Sequence, residues 1–315
     1  MFKIIFNLFL LILPLFAKNI PIEEIYLEGL ITNPKQEISG MDWYNDNLFF
    51  LPENLGGHLF MISKNEIKKQ ISLKNKKPIL PLKTKLVTPN YSKLVPGFDG
   101  LEAIAFTDDE VYITIEAENN GKMESYIVWG TIDSESYDIK IHNDNIKKVE
   151  TPIQIDNLSY ESIIIHKNNA LLLYEANGTN LQSDPFQFLI SLNDFSLKKI
   201  NFPNVEYRIT DATKINKNKF WVINYYWPGD KKNLNPGLDN LSKSKKADSE
   251  QTIERLVEFK ITNKHIELTN EEPISLTLES GKSRNWEGIV RFEESGFLIV
   301  TDKYPRMIFA YVNLK

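Results

Sequence analysis

Five acidic or hydroxyl side chains recur at the start of similar apolar segments, and they are the residues best suited to chemistry. Each opens a short apolar strand, which a turn and a second apolar strand follow. The five openers are Ser39, Glu102, Glu161, Asp211 and Glu287. The second strand of each copy ends fourteen residues later, or fifteen in the last copy, and these terminal residues are Glu53, Glu116, Glu175, Tyr225 and Asp302.

The charges of these residues predict a bound cation. An antiparallel hairpin brings its two ends together, so Glu102 is expected to face Glu116 and Glu161 to face Glu175. Opposed like charges destabilise a strand pair unless the carboxyls are protonated or a cation lies among them. Oxygen ligands without a histidine or thiol pattern favour Ca²⁺, with Mg²⁺ as the second choice. The openers are therefore predicted metal ligands, although acidic residues at strand starts are also common as solvated turn residues.

Other side chains near the same ends have the chemistry to act on a substrate. Glu116 or Glu175 could activate a water molecule. Lys303 and Arg306 could hold an anionic group, because an arginine fork matches phosphate or carboxylate, and an exposed basic turn is the alternative. The predicted substrate-binding set is Glu53, Asp302, Lys303 and Arg306.

The elements that must position these residues read as repeated hairpins. A unit that recurs every ~50 to 75 residues without a helical pattern is typical of a propeller blade. The sequence predicts an all-β fold, a single β-propeller of five blades with four antiparallel strands each. A sixth blade hidden in 74–98 or 267–280 is the alternative. A strand at 22–27 is expected to close the ring by pairing with the last strand, 307–312.

Three segments between the repeats carry further expectations. The first blade is expected to end with an outer strand at 67–73, and the connector that follows has one more possible strand at 83–87. The stretch 227–252 is rich in Pro, Gly, Asn, Lys and Ser and has no apolar period. Because such a long loop is functional or disordered, it is predicted to be a mobile flap over the channel mouth.

Composition narrows the class and the location of the protein. The chain has 315 residues, no cysteine and a net charge of −5, with no cluster of basic residues that would indicate a nucleic-acid partner. Residues 1–17 combine Lys3, an apolar run and Ala17, which predicts a signal peptide preceding a propeller domain at 18–315. The mature protein is expected to be a periplasmic or secreted monomer without a stable membrane anchor.

The repeated motifs resemble those of the bacterial secreted "esterase-like activity of phytase" propellers. The motifs are Ser39-Gly40-Met41, Gly100-Leu101-Glu102-Ala103-Ile104-Ala105, Tyr160-Glu161-Ser162-Ile163, Ile209-Thr210-Asp211-Ala212 and Asn285-Trp286-Glu287-Gly288-Ile289. The openers are also similar to those of calcium-activated nucleotidases, which implies five blades and a central calcium held by the five openers. Members of the first family often carry Glu-Arg where this chain has Tyr225-Tyr226.

Two functions remain open from the sequence. The first is an exported calcium-binding propeller hydrolase that acts on a phosphoester or a similar small anionic ester. The second is a non-catalytic propeller whose calcium is structural and whose channel mouth binds a ligand or a protein partner.

Overall fold

Antiparallel strands build most of the described chain, so the predicted all-β class is confirmed. The computed structural model describes residues 18–73, 77–242, 251–276, 283–294 and 296–315. The predicted signal peptide lies outside them. No helix within these ranges has the length and the apolar content that crossing a membrane requires.

The strands form four sheets, and because the eight-stranded one joins two successive groups of four strands, we describe the sheets as five consecutive units. The first contains β3 (Ile38–Tyr44), β4 (Asn47–Pro52), β5 (His58–Ser63) and β6 (Leu82–Val87). The second contains β7 (Phe98–Phe106), β8 (Glu110–Asn119), β9 (Lys122–Ile132) and β10 (Ile139–Val149). The third contains β11 (Tyr160–His166), β12 (Asn169–Tyr174), β13 (Phe186–Ser191) and β14 (Leu197–Asn201).

The last two units also include short strands from elsewhere in the chain. The fourth contains β15 (Arg208–Ala212), β16 (Lys219–Tyr226) and β17 (Ile253–Ile261), and both β18 (Ile266–Leu268) and β19 (Ile274–Leu276) pair with β17. The fifth contains β20 (Trp286–Phe292), β21 (Gly296–Thr301) and β22 (Phe309–Asn313). Its fourth strand is β2 (Ile22–Glu24), while β1 (Lys18–Ile20) pairs with β19.

The first strands of the units form a closed ring. Strand β3 contacts β7, β7 contacts β11, β11 contacts β15, β15 contacts β20, and β20 returns to β3. Five apolar clusters lie between neighbouring units, and each is built mainly from two of them. Because one hairpin cannot cover both of its apolar faces, each unit buries them against its two neighbours, which is the arrangement of a β-propeller.

The predicted closure of the ring by the two chain ends is confirmed. Strand β2 pairs antiparallel with β22, with Ile22 opposite Val312. The first and second units are also joined, because β6 and β10 pair in parallel and make one eight-stranded sheet.

The predicted outer strand at 67–73 is wrong, because this segment lies in helix α1 (Lys64–Ser72). The Ser63 side chain caps the helix by accepting a hydrogen bond from the Glu66 N–H at 3.3 Å, and Ile67 is the buried residue. The fourth strand of the first unit is β6, which contains the possible strand at 83–87. Strand β6 pairs within the sheet of the first unit, and β18 and β19 pair within the sheet of the fourth.

The described part of the long loop packs against the fourth unit. After the helical turn Pro228–Asp230 and helix α3 (Lys231–Leu234), Leu234 is buried and Asp239 forms an ion pair with Arg255 at 2.7 Å. Glu206 accepts a hydrogen bond from the Gly237 N–H at 2.9 Å. Residues 227–242 thus contact the fourth unit, 243–250 lie outside the described residues, and the mobile flap stays a prediction. The remaining helix, α2 (Tyr91–Leu94), precedes β7.

Buried polar side chains tie the first strands to one another. Asp42 Oδ2 accepts a hydrogen bond from the Phe106 N–H at 2.8 Å, and Asp211 Oδ2 accepts one from the Ile289 N–H at 2.7 Å. Each bond crosses from one unit to the next. A buried N–H group without an acceptor is costly, so these carboxylates help to set how neighbouring units meet.

We predict that Asp211→Ala lowers the free energy of unfolding by about 1–3 kcal/mol, because it leaves the buried Ile289 N–H without an acceptor. Urea unfolding of the variant measures the change, and Asp144→Ala, at an exposed position, is the control. Equal stability of the two variants would contradict the assigned role.

Candidate active site

A cavity of about 230 Å³ lies where the N-terminal ends of the five first strands meet. Its acidic lining residues outnumber its basic ones by eight to two. The acids are Glu37, Glu53, Asp99, Glu102, Glu116, Glu161, Glu287 and Asp302, and the bases are Arg208 and Lys303. Four of the five predicted metal ligands, Ser39, Glu102, Glu161 and Glu287, are therefore brought together.

A bulge at the start of the strand places three of these openers in the cavity. The pairing register shifts between Ile38 and Gly40, between Tyr160 and Ser162, and between Trp286 and Gly288. The residue left between each pair is an opener: Ser39, Glu161 or Glu287. A bulge of this kind turns a side chain away from the sheet pattern, and here it turns the openers toward the axis.

Asp211 is the exception, and the structure does not bring it to the cavity. In the fourth hairpin the register shifts between Ile209 and Asp211, so the bulged residue is Thr210. Thr210 Oγ1 donates to the Trp286 carbonyl, as Ser39 Oγ donates to the Leu101 carbonyl at 2.6 Å. In the fourth copy the terminal residue Tyr225 therefore lies fifteen residues after the bulged residue, the same spacing as in the last copy. A shift of one residue along a strand places a side chain on the opposite face of the sheet. Asp211 therefore does not occupy the position of the other openers, and its carboxylate accepts the hydrogen bond from the Ile289 N–H instead.

Arg208, at the start of β15, is a cation that the sequence analysis did not find. Its Nε donates to Glu175 Oε2, and its Nη2 lies 3.4 Å from Glu161 Oε1 and 3.7 Å from Glu287 Oε1. Burial alone would lower the pKa of Arg208, but Glu175, Glu161 and Glu287 raise it well above the ordinary value. Within the described residues its Nη1 has no hydrogen-bond partner.

The two predicted catalytic acids have different surroundings. Glu175 is fully buried, accepts hydrogen bonds from Arg208 and from the Ser159 N–H at 3.0 Å, and does not line the cavity. It is placed to hold Arg208 rather than to meet a substrate. Glu116 does line the cavity, so it is the one of the pair that a bound molecule can reach.

Three buried oxygen atoms of the cavity lining have no hydrogen-bond partner: Glu116 Oε2, Glu287 Oε2 and Asn285 Oδ1. Glu116 and Glu287 are only 5% and 6% exposed. The Asn285 amide N–H₂ already serves Glu287 Oε1 and Asp302 Oδ2, so its carbonyl oxygen is the atom left over. Buried acceptors without donors are costly, so each of these oxygens requires a proton, a donor or a cation.

Burial shifts the protonation of these carboxyls. It raises the pKa of Glu116 to about 7 and that of Glu287 to about 8. Burial and then the neighbouring Glu37 raise the pKa of Glu53 to about 8. Burial, with the Glu287 carboxylate as the next cause, holds the pKa of Glu161 well above its usual range. Glu161 and Glu287 are within hydrogen-bonding range of each other, so a shared proton competes with a cation here.

The predicted substrate-binding residues divide into two groups. Glu53, Asp302 and Lys303 line the cavity, and Lys303 forms an ion pair with Glu37 at 2.7 Å. Arg306 does not line it, because its guanidinium forms two hydrogen bonds to Glu24 on β2, at 2.6 and 2.8 Å. Of the two basic residues of this turn, Lys303 thus belongs to the cavity and Arg306 to the contact with β2 that closes the ring.

Arg208 and Asn285 occupy equivalent positions in the fourth and fifth hairpins, which the sequence comparison did not detect. Both lie two residues before the bulged residue of their hairpin, as Glu37 does before Ser39. Aligning the fourth copy with the spacing of the last one would have placed Arg208 at the mouth. Asp99 and Tyr304 also line the cavity and carried no repeat signal.

The described residues contain no group of three or more His, Cys, Asp or Glu side chains placed to hold a metal ion. The three unpartnered oxygens instead include an amide, which is a usual ligand type for Ca²⁺ alongside carboxylates and water. The described residues therefore offer a cation mixed oxygen ligand types and no cage of three carboxylates.

The fold and the site together describe a β-propeller with an acidic cavity at one mouth of its channel. No family model matches the chain, and no curated protein matches it. A structure from the GH130 family of mannoside phosphorylases, described as containing glycoside hydrolases, superposes with a TM-score of 0.51 at 12% identity, covering 96% of each chain. The exo-β-1,3-galactanase from Phanerochaete chrysosporium superposes with a TM-score of 0.52 at 6% identity, covering 92% of this chain and 63% of its own. At such identities the likeness shows the fold alone.

The raised carboxyl pKa values predict how the stability of the chelator-treated protein depends on pH. The folded state keeps protons on Glu53, Glu116 and Glu287 up to about pH 7–8, whereas the unfolded chain releases them near the ordinary value of 4.5. The stabilisation is complete below that lower value and is lost as the pH rises through 7–8. Stability should fall by about 1.4 kcal/mol per pH unit for each proton retained.

Urea unfolding in chelator at about pH 5, 6.5 and 8 measures this slope. Glu116→Gln should make it shallower, whereas Glu135→Gln, at an exposed position, should not change it. A stability that stays constant or rises between about pH 5 and 8 would refute the assignment.

Proposed function

We propose that the protein is an exported, monomeric, five-bladed propeller hydrolase that uses Ca²⁺ to cleave a phosphoester or a similar small anionic ester. The observation that carries this proposal is the pairing, in one cavity, of unpartnered acidic oxygens with an unpartnered arginine N–H group. The acidic oxygens suit a hard cation, and the arginine N–H group suits an anionic oxygen of a substrate.

Glu116, Glu287 and Asn285, which line the cavity and carry buried oxygens without a hydrogen-bond partner, would hold the cation together with Glu102. Glu102 has no cationic partner among the described residues, and burial, followed by Glu161, raises its pKa well above the usual range. When bound, Ca²⁺ would neutralise this acid excess and polarise the ester group. Without a cation, eight acids against two bases would repel an anionic substrate.

Arg208 would orient the substrate through Nη1, because Glu175 and Glu161 fix the rest of its guanidinium. A water molecule would attack the phosphorus or acyl carbon, and the bond to the alcohol oxygen would break. A Glu116 carboxylate oxygen that remains free of the cation would take the proton of that water and return it to the departing alcohol. Glu175 positions Arg208 and does not touch the substrate.

The alternative is a non-catalytic propeller with a structural cation and a ligand at the mouth. The observation in its favour is the fixed state of Arg208, which three carboxylates already neutralise. Calcium-dependent binding without turnover would support this alternative.

We predict that the purified protein hydrolyses phosphoesters or carboxyl esters with calcium and loses this activity in chelator. Glu116→Gln should lower kcat at least about 100-fold, which is typical for removal of a general base. Glu135→Gln is the matched exposed control. Absence of hydrolysis with calcium and with chelator alike, across both ester classes, would refute the hydrolase.

A further inference from the structure

A second, larger cavity of about 730 Å³ adjoins the acidic one. The two share Arg208, Asn285 and Tyr304 in their linings, so they are direct neighbours on the two sides of these residues. The larger cavity is different in character, because Tyr225, Trp227, Tyr304 and Pro305 are four of its eight described lining residues. We call it the aromatic compartment.

Two of its aromatic side chains are exposed although large apolar groups are usually buried. Trp227 is 51% exposed and Tyr304 is 60% exposed. Exposed aromatic rings that line a concave surface beside polar groups are typical of ligand-binding sites. The burial of such rings by a ligand would recover apolar area that folding has left in water.

Local contacts position the Trp227 ring and the Tyr304 backbone. The Trp227 indole lies directly over Gly229, where a Cβ atom would be 2.0–2.4 Å from three indole carbons. Tyr304 donates its backbone N–H to Asp302 Oδ1 at 2.6 Å, and its carbonyl accepts from the Asn285 N–H at 3.1 Å. A rigid aromatic wall binds a ring with a small loss of side-chain entropy.

The charges of the compartment restrict what it can accept. Arg208 is the one basic residue in its described lining, and Asp230 lies in the same wall. A ligand with one anionic group could place that group at Arg208 Nη1, between the two cavities. A ligand with several anionic groups would find no further cation among the described residues that line the aromatic compartment.

We propose that the aromatic compartment binds the ring of the alcohol part of the substrate, so that the substrate is a singly esterified anion with an uncharged ring-bearing alcohol. This inference rests on the proposed function, which places the anionic group at Arg208 and the cation. Trp227 and Tyr304 would then determine specificity, and Gly229 would position the indole.

The test compares three probes by ligand-observed NMR titration of the full chain in calcium: benzyl phosphate, methyl phosphate and benzyl alcohol. Benzyl phosphate should bind about tenfold more tightly than methyl phosphate, the size of one well-packed aromatic contact. Trp227→Ala should abolish this difference, and Trp227→Phe should keep part of it. Tyr26→Ala, at an equally exposed tyrosine elsewhere, should leave it unchanged.

Gly229→Ala is the sharper variant, because it leaves every aromatic side chain in the protein. The backbone at 229 does not lie in the left-handed region, so alanine fits it and only the indole must move. The ring preference should fall as in Trp227→Ala. Near-unchanged melting temperatures would show that each variant is folded.

The outcomes separate the two proposals. Binding of benzyl alcohol that Trp227→Ala abolishes, with no binding of methyl phosphate, would support the aromatic compartment and refute the anion site. Equal affinity for benzyl and methyl phosphate, or a ring preference that survives both Trp227→Ala and Gly229→Ala, would overturn the inference. Failure of all three probes to bind would overturn it as well.

Discussion

The buried guanidinium of Arg208, held among Glu161, Glu175 and Glu287, is the interaction on which the rest of the site depends. Three carboxylates at the axis of a closed ring would repel one another, and a single cation relieves only part of that repulsion. The ion pairs use Nε and Nη2 of the guanidinium. They also use Glu287 Oε1 and leave Oε2 without a partner. The same arrangement thus stabilises the mouth and leaves Glu287 Oε2 and Arg208 Nη1 without partners among the described residues.

The propeller architecture explains why these atoms can be so close. Each first strand is held between two neighbours by apolar clusters, so its N-terminal end has little freedom to move away from the axis. The bulges turn Ser39, Glu161 and Glu287 inward, and Asp42 and Asp211 fix how adjacent strands meet. A rigid ring can hold like charges together because its core provides the free energy that this costs. Such stored repulsion is also what a cation would release on binding.

The sequence predicted the repeated hairpins, the all-β class and the closure by the chain ends, because strands buried on both faces appear as short, nearly continuous apolar runs separated by turns. It did not reveal the helix after Ser63, whose lysines and apolar residues fit either state until the cap is considered. It also placed Asp211 in the cavity, since a bulge leaves no mark in the apolar pattern. Arg208 was missed for the same reason, as its position became equivalent to Asn285 only once the bulge was located. Side-chain partnerships such as Arg208 with Glu175 depend on three-dimensional proximity, which spacing alone does not encode.

The central claim is that a hard cation, rather than a shared proton, completes the acidic cavity. A crystal structure of the protein grown with calcium, with anomalous diffraction data, tests it directly. We expect an anomalous peak for Ca²⁺ at about 2.3–2.6 Å from Glu287 Oε2 and Asn285 Oδ1, with Glu116 Oε2 or a bridging water completing the coordination shell. A cavity without such a peak, in which Glu161 and Glu287 form a direct carboxyl–carboxylate hydrogen bond, would contradict it.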